Sequence, residues 1–124
     1  MTGVCLDAGA LIAIERGNRW VSTAVDEVRE LGSVHVVPEV IAQVWRGGAR
    51  QARLAAFLSS DDLVVPPYDA ETARAVGHLA GLSGHPDVVD VHVVLHAMVH
   101  DLTVLTSDPD DLLAVHPSVR LVVV

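Results

Sequence analysis

The chain has one cysteine, no lysine and few aromatic residues, and each scarcity narrows what it can be. A lone Cys5 excludes an internal disulfide and a cysteine-based zinc site. Lying within the apolar run Val4-Cys5-Leu6, it reads as a buried, inert thiol in a reducing compartment. With aromatics at 3% of residues, a core has to be built from Val, Leu, Ala and Ile, and the abundance of Val favours strands covered on both faces. No stretch reaches the roughly 18 consecutive apolar residues of a membrane span. The N-terminus lacks a basic region, and Asp7 and Glu15 interrupt what would be an apolar segment. No secretory signal is therefore expected, and the chain reads as soluble and cytoplasmic. All eight basic residues are arginine, against sixteen acids, for a formal net charge of −8. That balance excludes a uniformly basic nucleic-acid-binding surface but leaves room for a local patch.

What is present is a compact pattern. A length of 124 residues, 51% hydrophobic and 19% charged, fits one domain spanning 1–124 with a real core. Short apolar runs alternate with amphipathic stretches, the βαβ signature of a parallel sheet covered by helices. Strands are expected near Val4–Leu6, Val34–Val37, Leu63–Val65, Thr103–Thr106 and Arg120–Val123. Helices are expected near Ala8–Glu15, Val21–Leu31, Glu39–Trp45, Ala49–Leu58, Ala70–Leu82, Val88–His100 and Pro109–Val115. Punctuation agrees: Arg46-Gly47-Gly48 separates two helices, Gly81 to Pro86 forms a turn-rich break, and Pro109 suits a first helical position with Asp108 as its cap.

Three acids follow strand-like runs directly: Asp7 after Val-Cys-Leu, Glu39 after Val-His-Val-Val-Pro, and Asp108 after Leu-Thr-Val-Leu-Thr-Ser. A fourth, Asp90, opens a helix. Each has a plain local explanation. Asp7 and Asp108 can cap helices, Glu39 suits the positive end of a helix dipole, and Asp90 can partner the cap Asp87. In a parallel α/β sheet, however, strand ends lie side by side, so such carboxylates converge although distant in sequence. Converging carboxylates repel, and a divalent cation is the usual remedy.

The ordered set resembles the PIN-domain family, in particular the VapC-like ribonuclease toxins of bacterial toxin–antitoxin pairs. The resemblance is carried by Leu6-Asp7-Ala8-Gly9-Ala10-Leu11-Ile12-Ala13, Pro38-Glu39-Val40, Val89-Asp90-Val91 and Leu105-Thr106-Ser107-Asp108-Pro109-Asp110-Asp111-Leu112, and covers nearly the whole chain. It implies a three-layer α/β/α fold on a central parallel sheet of about five strands. It also implies that Asp7, Glu39, Asp90 and Asp108 hold Mg2+ or Mn2+, with Thr106 as a supporting hydroxyl, for hydrolysis of RNA to a 5′-phosphate product. Asp111 competes with Asp108 for the fourth position, and Asp87 is a candidate outer acid. Residue 9, where many members carry Ser, Thr or Asn, is glycine here. A homodimer and a cognate antitoxin lying across the site are implied as partners, and the RNA class, whether tRNA, rRNA or mRNA, is left open.

Phosphates approaching an acidic pocket need basic residues at its rim. Arg16, Arg46 and Arg50 are the candidates for RNA contact, against the plain alternative of surface arginines paired with nearby acids. Trp20 and Trp45 are expected to bury an edge in the core. His92, His96 and His100 form an i, i+4, i+8 stripe that lacks the His-Glu-x-x-His arrangement of zinc hydrolases and reads as a half-exposed face or dimer contact. Phosphotransfer and receiver domains also place an Asp after the first strand. They normally need a cationic partner, typically Lys, and the dehalogenase-like phosphatases want an acid where Gly9 stands. The remaining alternative is a PIN-like module that binds RNA or protein with little catalysis.

Overall fold

The computed structural model describes residues 3–124 and is built around a five-stranded sheet in which every pairing is parallel. The strands are β1 (Gly3–Leu6), β2 (Ser33–His35), β3 (Leu63–Val64), β4 (Thr103–Thr106) and β5 (Leu121–Val123), in the order β3-β2-β1-β4-β5. All four residues of β1 are buried, so both of its faces are covered, as its unbroken apolar character requires. The helices are α1 (Ala8–Glu15), α2 (Arg19–Leu31), α3 (Pro38–Val44), α4 (Ala52–Leu58), α5 (Ala70–Ser83), α6 (Val88–Val99) and α7 (Pro109–Val115). Helix α2 packs on β1 and β2, and α6 on β1 and β4, giving the three-layer α/β/α architecture.

The core is aliphatic: Leu6, Leu11, Leu54, Leu112 and a series of valines from both helix layers are fully buried, with Phe57 the one aromatic side chain in it. Each element starts where its residues allow. Asp7, Asn18, Asp69 and Asp87 accept backbone N–H groups at the starts of α1, α2, α5 and α6, and Pro38 and Pro109 occupy first-turn positions of α3 and α7. Gly84 ends α5 in the left-handed conformation at φ +71°.

Differences from the expected elements are local and have local causes. Asn18 caps α2, which therefore starts at Arg19, two residues earlier than expected. β2 ends at His35, before Val36 and Val37, because Pro38 has no N–H to extend a ladder and starts a helix instead. The stretch expected as one helix at Ala49–Leu58 begins as a 3-10 turn, Ala49–Gln51, after Gly48 in a positive-φ conformation. Trp20 and Trp45, expected to bury an edge in the core, are instead 57% and 39% exposed. Aliphatic side chains fill the core without them.

Cys5 lies fully buried in β1, and burial, with smaller contributions from Asp7 and Glu39, pushes its thiol up to about 12. The thiolate is the reactive form, so the folded protein is expected to resist iodoacetamide at mildly alkaline pH, where a free thiol with its usual pKa of about 8.5 is readily alkylated. Labelling measured along a urea titration should appear only with unfolding; rapid labelling of the native protein would contradict the burial.

Candidate active site

The strand order reverses at β1: the chain leaves it for β2 and β3 on one side and returns with β4 and β5 on the other. A crevice forms at the carboxyl ends of strands flanking such a switch point. The register pairs Leu6 with Leu105, so Asp7 emerges beside Thr106, and its N–H donates to the Leu105 carbonyl at 2.9 Å. The Asp7 carboxylate, only 6% exposed, accepts from the Ala8 N–H at 2.8 Å and from the Thr106 hydroxyl at 3.0 Å. Thr106 Oγ1 in turn accepts the Asp108 N–H at 2.9 Å, so one buried hydroxyl ties together the residues after β1 and β4.

Burial pushes the Asp7 carboxyl above the ordinary carboxylate range; its two hydrogen bonds oppose the shift, and Asp108 and Asp87 add to it by repulsion. Asp90, in the first turn of α6, is also raised by burial. His85 lowers it through a 2.9 Å contact to Oδ2, while Asp87 and Asp7 repel it. Asp7, Asp87, Asp90 and Asp108 thus form one electrostatically coupled group. Asp87 caps α6, accepting from Val89 N and Asp90 N. Asp108 and Asp111 are both exposed, and of the two only Asp108 is among the groups acting on Asp7.

Glu39 enters from the start of α3. Its Oε2 meets His92 Nδ1 at 2.5 Å, and its Oε1 is buried without a partner. Asp7 and Glu39 both lie close enough to Cys5 to raise its thiol by repulsion. Among the described residues no three His, Cys, Asp or Glu side chains converge closely enough to hold an ion unaided. The donor set still fits magnesium or manganese, which favour oxygen ligands; magnesium commonly uses one or two direct carboxylates and retains several waters. A buried carboxylate oxygen with no partner, as at Glu39, is a place where such a ligand or its water is wanted.

The histidine stripe is not half-exposed. His92 and His96 are 2% and 7% exposed, and only His100 reaches solvent. His96 Nε2 meets His35 Nδ1 at 2.8 Å, and His35 Nε2 meets Ser33 Oγ at 2.7 Å. Burial, then the neighbouring imidazoles, push His96 down to about 4, so it is neutral at physiological pH. Neutral imidazoles can pack and hydrogen-bond across a helix–sheet interface where a charge would not be tolerated.

Arg16, Arg46 and Arg50 line one cavity of about 460 Å³ with Glu15, Gln43 and Gln51. None of the three arginines forms an ion pair with a described carboxylate, unlike Arg29 and Arg120. All three are exposed surface arginines, as the plain alternative has it, but without its pairing to acids. Buried Gln51, which the sequence reading passed over, organises this cavity. It donates to Glu15 Oε1 at 2.5 Å and the Val44 carbonyl at 2.9 Å, and accepts from Arg46 N at 2.8 Å and Gly47 N at 2.9 Å. Its spacing from Gly47-Gly48 was visible, but a lone Gln carries no motif. His85 and His92 were equally unmarked as carboxylate partners.

Sheet order and switch-point crevice define a parallel α/β protein with its acids gathered beyond β1 and β4. The PIN domain model matches residues 4–115, and the chain belongs to the PIN domain family. Solved structures with the same fold include VapBC2 from Rickettsia felis bound to a DNA fragment from their promoter, with a TM-score of 0.73, 16% identity and 98% of each chain covered. FitAB bound to an IR36 DNA fragment is similar at a TM-score of 0.64 and 16% identity, covering 97% of this chain and 94% of that one. FitAcB from Neisseria gonorrhoeae is similar at 0.61 and 19%, with 95% of each chain covered. A comparison with curated protein sequences finds no match.

Two stability effects are expected. Asn at position 7 retains the cap and the acceptor for Thr106 while removing a buried charge, so Asp7→Asn should raise the Tm of metal-free protein by roughly 2–5 °C, on the order of 1 kcal/mol. Because the folded pKa of Asp7 lies above its unfolded value, the charge opposes folding above that pKa, and the penalty fades as pH falls through it. The gap between variant and wild type should therefore narrow on acidification; melting curves in chelator that show the variant less stable at neutral pH would refute this. His92→Ala leaves both Glu39 oxygens unpartnered and should cost about 1–3 kcal/mol, measured by urea unfolding.

Proposed function

We propose that this chain is a metal-dependent endoribonuclease acting as the toxin of a toxin–antitoxin pair, a single PIN domain over residues 1–124. The observation that carries this reading is the buried carboxylate of Asp7 after β1, tied through the Thr106 hydroxyl to Asp108 and standing near enough to Asp90 to repel it, a cost a fold rarely bears without a cation to relieve it. Asp7 and Asp90 would hold Mg2+ or Mn2+, with Glu39 and Asp108 orienting water or completing a second position. A bound ion supplies Lewis acidity toward a phosphate oxygen and acidifies coordinated water. The chain's own groups do the rest. Thr106 and the Ala8 N–H fix both oxygens of Asp7, His92 fixes Glu39, and His85 holds Asp90 Oδ2 in a pair able to keep a proton near the site.

The arginine cavity lies at the far end of the eight-residue α1, about 12 Å from Asp7 along the helix. Arg16, Arg46 and Arg50 there would hold backbone phosphates of an RNA strand whose scissile bond lies at the acids. A cognate antitoxin fits the same electrostatics: with a net charge of −8, an acidic crevice suits a basic side chain from an inhibitor segment. Likeness in fold to chains of VapBC2 and FitAB supports the antitoxin partnership, and a homodimer completes the proposed assembly. Among the described residues no helix is long and apolar enough to cross a membrane, compatible with action in the cytoplasm. A second reading, a PIN-like RNA- or protein-binding module with little catalysis, is favoured by the absence of three converged ligands among the described residues.

RNA cleavage decides between them. Activity on tRNA, rRNA or mRNA is expected with Mg2+ or Mn2+ and lost in chelator. Asp7→Asn and Asp90→Asn should each lower kcat on the order of 100-fold, while Arg16→Ala and Arg50→Ala raise KM with kcat largely kept. Unchanged cleavage in both aspartate variants would sink the carboxylate site, and an inert wild type that binds RNA would establish the second reading.

A further inference from the structure

Gly9, in the first turn of α1, is not required by its backbone, since it is absent from the residues with positive φ. Glycine within a helix is destabilising relative to alanine. Space explains it: a Cβ on residue 9 would lie 2.2 Å from Ser107 Oγ, 2.7 Å from Ser107 Cβ and 3.1 Å from Ser107 N. The serine side chain thus occupies the place that a side chain on residue 9 would take.

Ser107 stands between the two residues that tie β4 to Asp7. Thr106 Oγ1 bonds Asp7, and the Asp108 N–H bonds Thr106 Oγ1. Beyond the end of β4 the Ser107 side chain lies over the α1 first turn, immediately after Asp7 in sequence. Ser107 is exposed, and its hydroxyl makes no hydrogen bond to a described residue. The site's other hydroxyl, Thr106, is fully buried and engaged on both sides. A free hydroxyl beside acids that repel phosphate is a neutral donor available to an anionic ligand.

We propose that Ser107 is a substrate-contacting residue: its hydroxyl, admitted by the missing side chain of Gly9, donates to a non-bridging oxygen of the phosphodiester held at Asp7 and Asp108. This rests on the phosphodiesterase reading above and adds a residue to it. Because the contact depends on where the hydroxyl stands and not on which element carries it, a hydroxyl supplied from residue 9 serves the same purpose.

The test uses the full chain with Mn2+ and a fluorescently labelled random-sequence RNA oligonucleotide, reading kcat and KM, with Tm measured in parallel. Ser107→Ala should lower kcat/KM about tenfold with Tm kept. Gly9→Ala should lower both kcat/KM and Tm, because its Cβ displaces Ser107. Gly9→Ala/Ser107→Gly should regain Tm but not kcat/KM, whereas Gly9→Ser/Ser107→Gly should regain both. A packing role alone would restore activity with Tm in either double variant, which would overturn the proposal, as would wild-type kcat/KM in Ser107→Ala. If wild type is as inert as Asp7→Asn, the nuclease reading falls and this inference with it; an active wild type with an indifferent Ser107 removes only the inference.

Discussion

Parallel pairing of β1 with β4, in the register that sets Leu6 against Leu105, is the constraint on which the rest of this molecule depends. It brings Asp7 next to Thr106, links both to Asp108 through one hydroxyl, and places the switch-point crevice where the acids meet. A slip of one residue would turn Asp7 to the opposite face and dissolve the group. The energetic consequence is a local penalty: a carboxylate buried to 6% exposure, with like charges around it, is raised in pKa instead of being stabilised as an ion. The largely aliphatic core covering both faces of β1 offsets that penalty by burying apolar area elsewhere.

Helix α6 connects the crevice to the remainder of the sheet. Its first turn carries Asp90, its second presents His92 to Glu39 of α3, and its third packs His96 against His35 of β2. One helix therefore sets the positions of two carboxylates and registers itself against the strand beyond β1. His96 can pack against β2 because burial keeps its imidazole neutral, down at about 4. Lysine or arginine at position 96 would bring an unpaired charge into the interface.

Charge is partitioned in the same way. A net −8 says little about where the cations stand, and the fold gathers three unpaired arginines around one cavity through the hydrogen bonds of Gln51. Asp7 stands at the start of α1 and the arginine cavity at its far end, a polarity no composition reveals.

Much of this was legible in the chain. The order of strands and helices follows from apolar period and punctuation, and Asp7, Asp87, Pro38 and Pro109 mark helix starts because capping is a local interaction between neighbours in sequence. The acids beyond strand ends were visible for the same reason. Their partners were not: His92 on Glu39 spans 53 residues, Thr106 on Asp7 spans 99, and neither has a spacing that periodicity detects. The burial of His92 and His96, the exposure of Trp20 and Trp45, and the fit of Ser107 over Gly9 belong to the same class. Local sequence determined where each element begins and which residues stand at its end. Only the packing of distant elements decided which of those residues touch, because a hydrogen bond or a steric contact depends on distance in space, and distance along the chain does not report it.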